Sequence, residues 1–218
     1  CDTSIVEQAV DAVTRAVKPE TPNPVLVIRS TVPPGLTEEL REIRLPVVFC
    51  PEFLTEANWQ HDVDHAPRVV VGYATEPGSR TASASVALAF YNAYVSKNLP
   101  VPQLLLMPST EAELGKLFAN GLCAAKVSLS NEVYALSQKL GIDYEQVRKV
   151  AITDSRHGPH HTKVLGPDGH AGFGGHCLPK DLCNLIDVMQ KAGVEPSVAK
   201  AVWETNLRVR EHKDWLQM

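Results

Sequence analysis

The chain has 218 residues, 44% of them hydrophobic, which suffices for a sizeable core in one large domain or two small ones. A formal net charge of -4, with no Lys/Arg run interleaved with aromatics, excludes a general attraction to nucleic acid or to an anionic membrane surface. No apolar stretch approaches the ~20 residues of a membrane span, and no basic-then-apolar signal opens the chain, so a soluble, cytoplasmic protein is expected. Cys1, Cys50, Cys123, Cys177 and Cys183 are odd in number and lack paired C-x-x-C spacing, which points to reduced thiols.

Ile5, Val6, Ala9, Val10, Val13 and Val17 repeat at helical spacing and predict an amphipathic helix over Ser4 to Val17. After a proline-rich break, Val25 to Ile28 reads as a buried parallel strand with a polar C-terminal end at Arg29-Ser-Thr31. A short helix is expected over Leu36 to Ile43, strands over Pro46 to Cys50 and Arg68 to Gly72, a helix over Thr81 to Tyr94 and a strand over Gln103 to Met107. This alternation implies an α/β sheet. From Thr110 to Leu140, Leu114, Leu117, Phe118, Leu122, Leu129, Val133, Leu136 and Leu140 describe one long helix of about 46 Å, longer than one face of a small domain requires. Part of its apolar surface is therefore expected to meet another subunit or domain. Helices also fit Tyr144 to Ile152 and Pro196 to Arg210, separated by a His-, Gly- and Pro-rich stretch from His157 to Gly175.

The chemistry concentrates in Gly172-Phe-Gly-Gly-His-Cys-Leu-Pro-Lys-Asp181. Pro179 suits the first position of a helix from Lys180 to Gln190, which leaves Cys177 just ahead of it. The positive end of that helix and a neighbouring ammonium both favour a thiolate. On the residues alone, an inert cysteine at a glycine-rich helix entry is the alternative. His157, His160, His161, His170 and His176 surround this thiol in sequence, but their spacing fits no standard zinc site, and a solvated loop explains them more simply. The dinucleotide fingerprint G-x-G-x-x-G is absent: Gly172-Phe-Gly174 is followed by Cys177 in place of the third glycine, and no strand precedes it.

Four motifs in order, Ser30-Thr-Val-Pro-Pro-Gly35, Pro51-Glu-Phe-Leu-Thr-Glu56, Glu113-Leu-Gly-Lys-Leu-Phe-Ala-Asn120 and the Cys177 segment, resemble those of the UDP-glucose/GDP-mannose dehydrogenase family. The resemblance implies residues 1–108 as the latter half of a Rossmann-like NAD-binding domain and 109–218 as an all-helical central domain that dimerises through the helix at 110–140. It also implies that the glycine fingerprint would precede Cys1, so that this chain is expected to be weak or inactive alone. Family enzymes oxidise the primary alcohol of a sugar nucleotide to a carboxylate with NAD+ used twice in succession, through a cysteine thiohemiacetal and thioester. A UDP-sugar, with UDP-glucose foremost, is the implied substrate.

Carried over by position, Cys177 is the implied nucleophile and Asp181 an acid/base group. Lys116 is an implied positive charge near the oxyanion, with Asn120 one helical turn on as a second donor. Glu56 would assist thioester hydrolysis and border the nicotinamide. Glu52, Phe53, Leu54, Phe173, Gly174 and Arg156 are implied substrate contacts, together with Lys116 and Asn120, and Thr31 and Lys180 are implied cofactor contacts. A non-catalytic dimerisation or sugar-nucleotide-binding module retaining the same fold is the alternative.

Overall fold

Short apolar runs form a four-stranded sheet in the computed structural model, which describes every residue except 1, 19, 22, 56, 57 and 218. The strands are β1 (Leu26–Ile28), β2 (Val47–Phe49), β3 (Arg68–Tyr73) and β4 (Gln103–Pro108), lying side by side in that order. β1 pairs in parallel with β2, Leu26 opposite Val47, and β3 pairs in parallel with β4 from Arg68 opposite Gln103 to Tyr73 opposite Pro108. Between the two pairs, β2 meets β3 antiparallel. The sheet is thus mixed, a feature that strand-helix alternation does not reveal.

The connection from β2 to β3 gives the physical reason. Its only described α-helix, α3 (Trp59–Asp64), has no buried residue and does not cover a sheet face as a parallel crossover helix would. No apolar stripe marked it in the sequence.

Strand side chains alternate strictly between the two faces. Val47 and Phe49 join Leu26, Ile28 and Val70 in one core, with Val10 from α1 (Ser4–Ala16) and Leu36 from α2 (Leu36–Glu39). Val48 and Cys50 join Val69 and Val71 in the other, against Ala82 and Ala87 of α4 (Pro77–Ser96). Cys50 is wholly buried, and burial pushes its thiol up. Two compact units result, Cys1–Lys116 with the sheet and Leu117–Met218, which is helical.

The predicted long helix is α5 (Ser109–Leu140). Near its start, Ala112 enters the first sheet core and Glu113, fully buried, accepts three hydrogen bonds. The N–H of Gly35 donates at 2.6 Å, and the Thr37 N–H and hydroxyl donate at 3.0 and 2.5 Å. Burial pushes this carboxyl up, against the pull of those donors. Further along α5, Phe118, Leu122, Leu129, Leu136 and Leu140 are all more than half exposed, while Leu117 and Ala124 are fully buried.

In the second unit, residues 117–140 of α5 are joined by α6 (Tyr144–Ile152), α7 (Cys177–Lys191) and α8 (Ser197–Val209). Asp143 caps α6 by accepting the Glu145 N–H at 2.8 Å. The core holds Ala124, Val127, Phe173 and Leu182, with Leu178, Val202 and Trp203 packed around it. Among the described residues, no helix is long and apolar enough to cross a membrane.

Removing the Glu113 carboxylate takes the acceptor from the buried N–H and hydroxyl of Thr37 and from the half-buried N–H of Gly35. Glu113→Ala is expected to lower stability by about 3 kcal/mol in urea denaturation. A loss below about 0.5 kcal/mol, the range of surface substitutions, would show that the donors find other partners.

Candidate active site

α7 begins at Cys177, with His176 as its N-cap. The thiol therefore lies in the first helical turn, and Pro179 occupies the third helical position where the first position was expected. No intrahelical bond is lost, because the opening N–H groups of a helix have no partner within it. Cys177 is exposed, whereas Asp181, one turn later on the same helix, retains 1% of its accessible surface.

A buried carboxylate requires paired hydrogen-bond donors. Asp181 has two: the Asn120 amide donates to Oδ2 at 2.5 Å, and the Lys180 ammonium donates to Oδ1 at 2.8 Å. One amide N–H of Asn120 is engaged in this bond, and the second N–H of the same nitrogen is a further donor. Asn120, Cys177, Lys180 and Asp181 thus form one cluster on α5 and α7. Lys180, named above as an implied cofactor contact, is paired here with the Asp181 carboxylate.

In the first unit, Lys116 is 7% exposed and its ammonium lies 4.8 Å from the centre of the Phe53 ring. The guanidinium of Arg68 lies 4.1 Å from the same centre, so one aromatic ring serves two cations. Glu52 pairs with Arg29 at 3.1 Å, joining the C-terminal ends of β1 and β2. Thr31 follows β1 and is half-buried, as is Leu54. Glu56 lies outside the described residues. Arg156 makes a bidentate pair with its neighbour Asp154 and is 82% exposed, so within this chain it points to solvent.

The glycine-rich approach to Cys177 is held by residues that sequence reasoning missed. Gly172 donates its N–H to Asn131 at 3.2 Å. Asn206 grips Phe173 from both sides, accepting its N–H at 2.7 Å and donating to its carbonyl at 2.9 Å. With its ring in the helical core and its backbone held by Asn206, Phe173 anchors the loop. Gly175 donates to Asp214 at 2.8 Å.

Arg210, 1% exposed, lies beneath this loop. It bonds Asp168 at 2.7 Å, Asp214 at 3.1 Å and the His212 carbonyl at 2.8 Å. Its guanidinium lies so close to Gly174 that a Cβ there would require Arg210 to move, and a Cβ on Gly172, whose φ is +71°, would strike Asn206. The only sequence signal for this clamp was the run of glycines itself.

Two models of a single family match the chain: the UDP-glucose/GDP-mannose dehydrogenase NAD binding domain over residues 1–91 and the central domain over 110–208. The chain belongs to the UDP-glucose/GDP-mannose dehydrogenase family. It is 31% identical over 199 residues to UDP-glucose 6-dehydrogenase of Pseudomonas aeruginosa, covering 86% of this chain and 41% of that protein. It is 32% identical over 197 residues to UDP-glucose 6-dehydrogenase 1 of Arabidopsis thaliana, covering 87% and 38%. Among solved structures, a UDP-glucose dehydrogenase from Pyrobaculum islandicum superposes with a TM-score of 0.77 at 32% identity, covering 95% of this chain and 46% of that one. A UDP-D-ManNAc dehydrogenase from Pyrococcus horikoshii shares the fold, with a TM-score of 0.72 at 23% identity. The chain therefore spans less than half the length of these UDP-glucose/GDP-mannose dehydrogenase family members.

Asp168 and Asp214 are both held below the usual carboxylate range. Burial acts against this shift, and it is outweighed for Asp168 by Arg210 and the His170 N–H, and for Asp214 by the Gly175 N–H and Arg210. A depressed carboxyl stabilises the fold fully above its unfolded value of about 3.9 and loses that contribution as pH falls through the folded value. Trp215 adjoins Asp214 and its ring lies 5.3 Å from that of Trp203. An acid transition in tryptophan fluorescence is thus expected below about pH 4. Asp214→Asn should weaken it, and an unchanged transition would remove this clamp as its source.

Proposed function

We propose that this chain is the catalytic-cysteine portion of an NAD-dependent nucleotide-sugar 6-dehydrogenase acting on a UDP-sugar, with UDP-glucose the first substrate to test. The observation that carries the reading is the cluster of exposed Cys177, Asn120 and buried Asp181, with Asn120 bonded to Asp181 at 2.5 Å. Four motifs of the family contribute to the two sites, and the named relatives are dehydrogenases of UDP-sugars.

The residues at the C-terminal ends of the parallel β1–β2 pair fit one edge of a dinucleotide site, because ligands of open α/β sheets bind beyond such strand ends. Thr31 and the Arg29–Glu52 pair would hold that edge. NAD+, when bound, supplies a hydride acceptor for both oxidations.

In this reading, the aldehyde left by the first oxidation is attacked by the Cys177 thiolate. A carbon–sulfur bond forms, the carbonyl π electrons move onto oxygen, and a thiohemiacetal results. The second N–H of Asn120 would donate to the developing oxyanion, and Lys116 is assigned positive charge there from the family pattern alone. Asp181 moves protons through water, held in register by Asn120 and Lys180. After the second oxidation, water adds to the Cys177 thioester, the carbon–sulfur bond breaks, and the thiolate is restored as the carboxylate leaves. Glu56 is assigned to assist this hydrolysis from the family pattern alone.

Alkylation kinetics test the reading without requiring turnover. Cys177 is expected to react with iodoacetamide faster than Cys183, also exposed on α7, whose thiol is raised by burial. UDP-glucose should slow Cys177 alone. An unreactive, ligand-insensitive Cys177 would favour a non-catalytic binding module.

The exposed leucines of α5 support a homodimer across that helix, since an apolar stripe of this length is a liability on a free surface. Leu129→Glu with Leu136→Glu should convert a dimer to a monomer in sedimentation velocity. A dimer unaffected by both charges would place the interface elsewhere.

A further inference from the structure

We propose that Arg210 is a positioning residue for the Cys177 thiol, acting through Gly174 and Gly175. The proposal rests on Cys177 being the reactive thiol. Arg210 is the only described cation bonded to two carboxylates, Asp168 from the loop that follows α6 and Asp214 from the segment that follows α8. Asp214 in turn accepts the N–H of Gly175, two residues before Cys177. The flat guanidinium lies directly against Gly174, so the chain reaching the thiol rests on Arg210 by van der Waals contact and is tied to it through Asp214.

Geometry makes the coupling directional. Gly174 and Gly175 lack the side chains that would fix a backbone by packing, and glycine adopts more conformations than any other residue. What holds them must come from outside the loop. Arg210 supplies a steric floor for the first, and its Asp214 partner supplies the acceptor for the second. The stacked rings of His170 and His212, 5.4 Å apart, join the same two flanking segments beside the guanidinium. Nη1 of Arg210 and Oδ1 of Asp214 are buried without partners among the described residues.

The test uses the whole chain and four variants. Arg210→Met removes the guanidinium but keeps the length of the side chain, whereas Gly174→Ala directs a methyl group at the guanidinium from the loop. Each is expected to slow iodoacetamide alkylation of Cys177 on the order of tenfold, below the hundredfold that a 1 Å misplacement can cause. Each should also move the pH dependence of that alkylation, while the Cys183 rate stays unchanged. Arg210→Lys should recover part of the rate. Because Arg210→Met already removes the group that the methyl of Gly174→Ala would strike, the double variant should be little worse than Arg210→Met alone.

Wild-type kinetics and pH dependence in folded Arg210→Met, or strictly additive effects in the double variant, would overturn the proposal. If Arg210→Met does not fold, Asp214→Asn takes its place, since it keeps an acceptor for Gly175 while weakening the tie to Arg210. An inert Cys177 in the unmodified chain would instead overturn the role given to that thiol.

Discussion

The ion pairs of one buried guanidinium set the conditions for everything proposed at Cys177. Arg210 bonds Asp168, Asp214 and the His212 carbonyl, and the loop leading to α7 lies on it. Burying such a group is unfavourable unless its charge and donors are matched, so the two carboxylates and the cation stabilise one another or none of them. Phe173 packs into the helical core, but Gly174 and Gly175 have no side chains to pack and depend on Arg210 and Asp214. A rigid charged scaffold beneath flexible backbone reconciles close approach with a defined position for the thiol.

The first unit solves a related problem with the opposite charge. Glu113 is buried at the start of α5 and satisfies donors from Gly35 and Thr37, which ties the Ser30–Gly35 loop to the helix carrying Lys116. Two motifs that are separate in sequence are thus halves of one interaction. Lys116 follows Glu113 by three residues, so the carboxylate that fixes the rotation of α5 also fixes where the ammonium projects. Phe53, shared by Lys116 and Arg68, gives that ammonium a second constraint.

Much of this was legible in the residues. α5, α6 and the strands emerged from the spacing of their apolar residues, although several of those on α5 stay exposed, and residues that share a helical face, such as Lys116 and Asn120, could be grouped by spacing. The antiparallel turn from β2 to β3 was hidden, since strand direction depends on how a connection travels and α3 buries nothing that would mark it. Arg210, Asn206 and Asp214 were hidden for a different reason. Asn206 and Asp214 hold loop residues far earlier in the chain, and Arg210 meets Asp168 and Gly174 equally far back, contacts that no local spacing signals.

The chemistry proposed at Cys177 requires the thiol to be covalently involved between two oxidations, and one measurement addresses that directly. In a longer chain that also carries the glycine fingerprint, UDP-glucose and NAD+ should give two NADH for each uronate, and Cys177→Ser should lose uronate formation. Uronate made at the full rate by a chain without the thiol would contradict this chemistry.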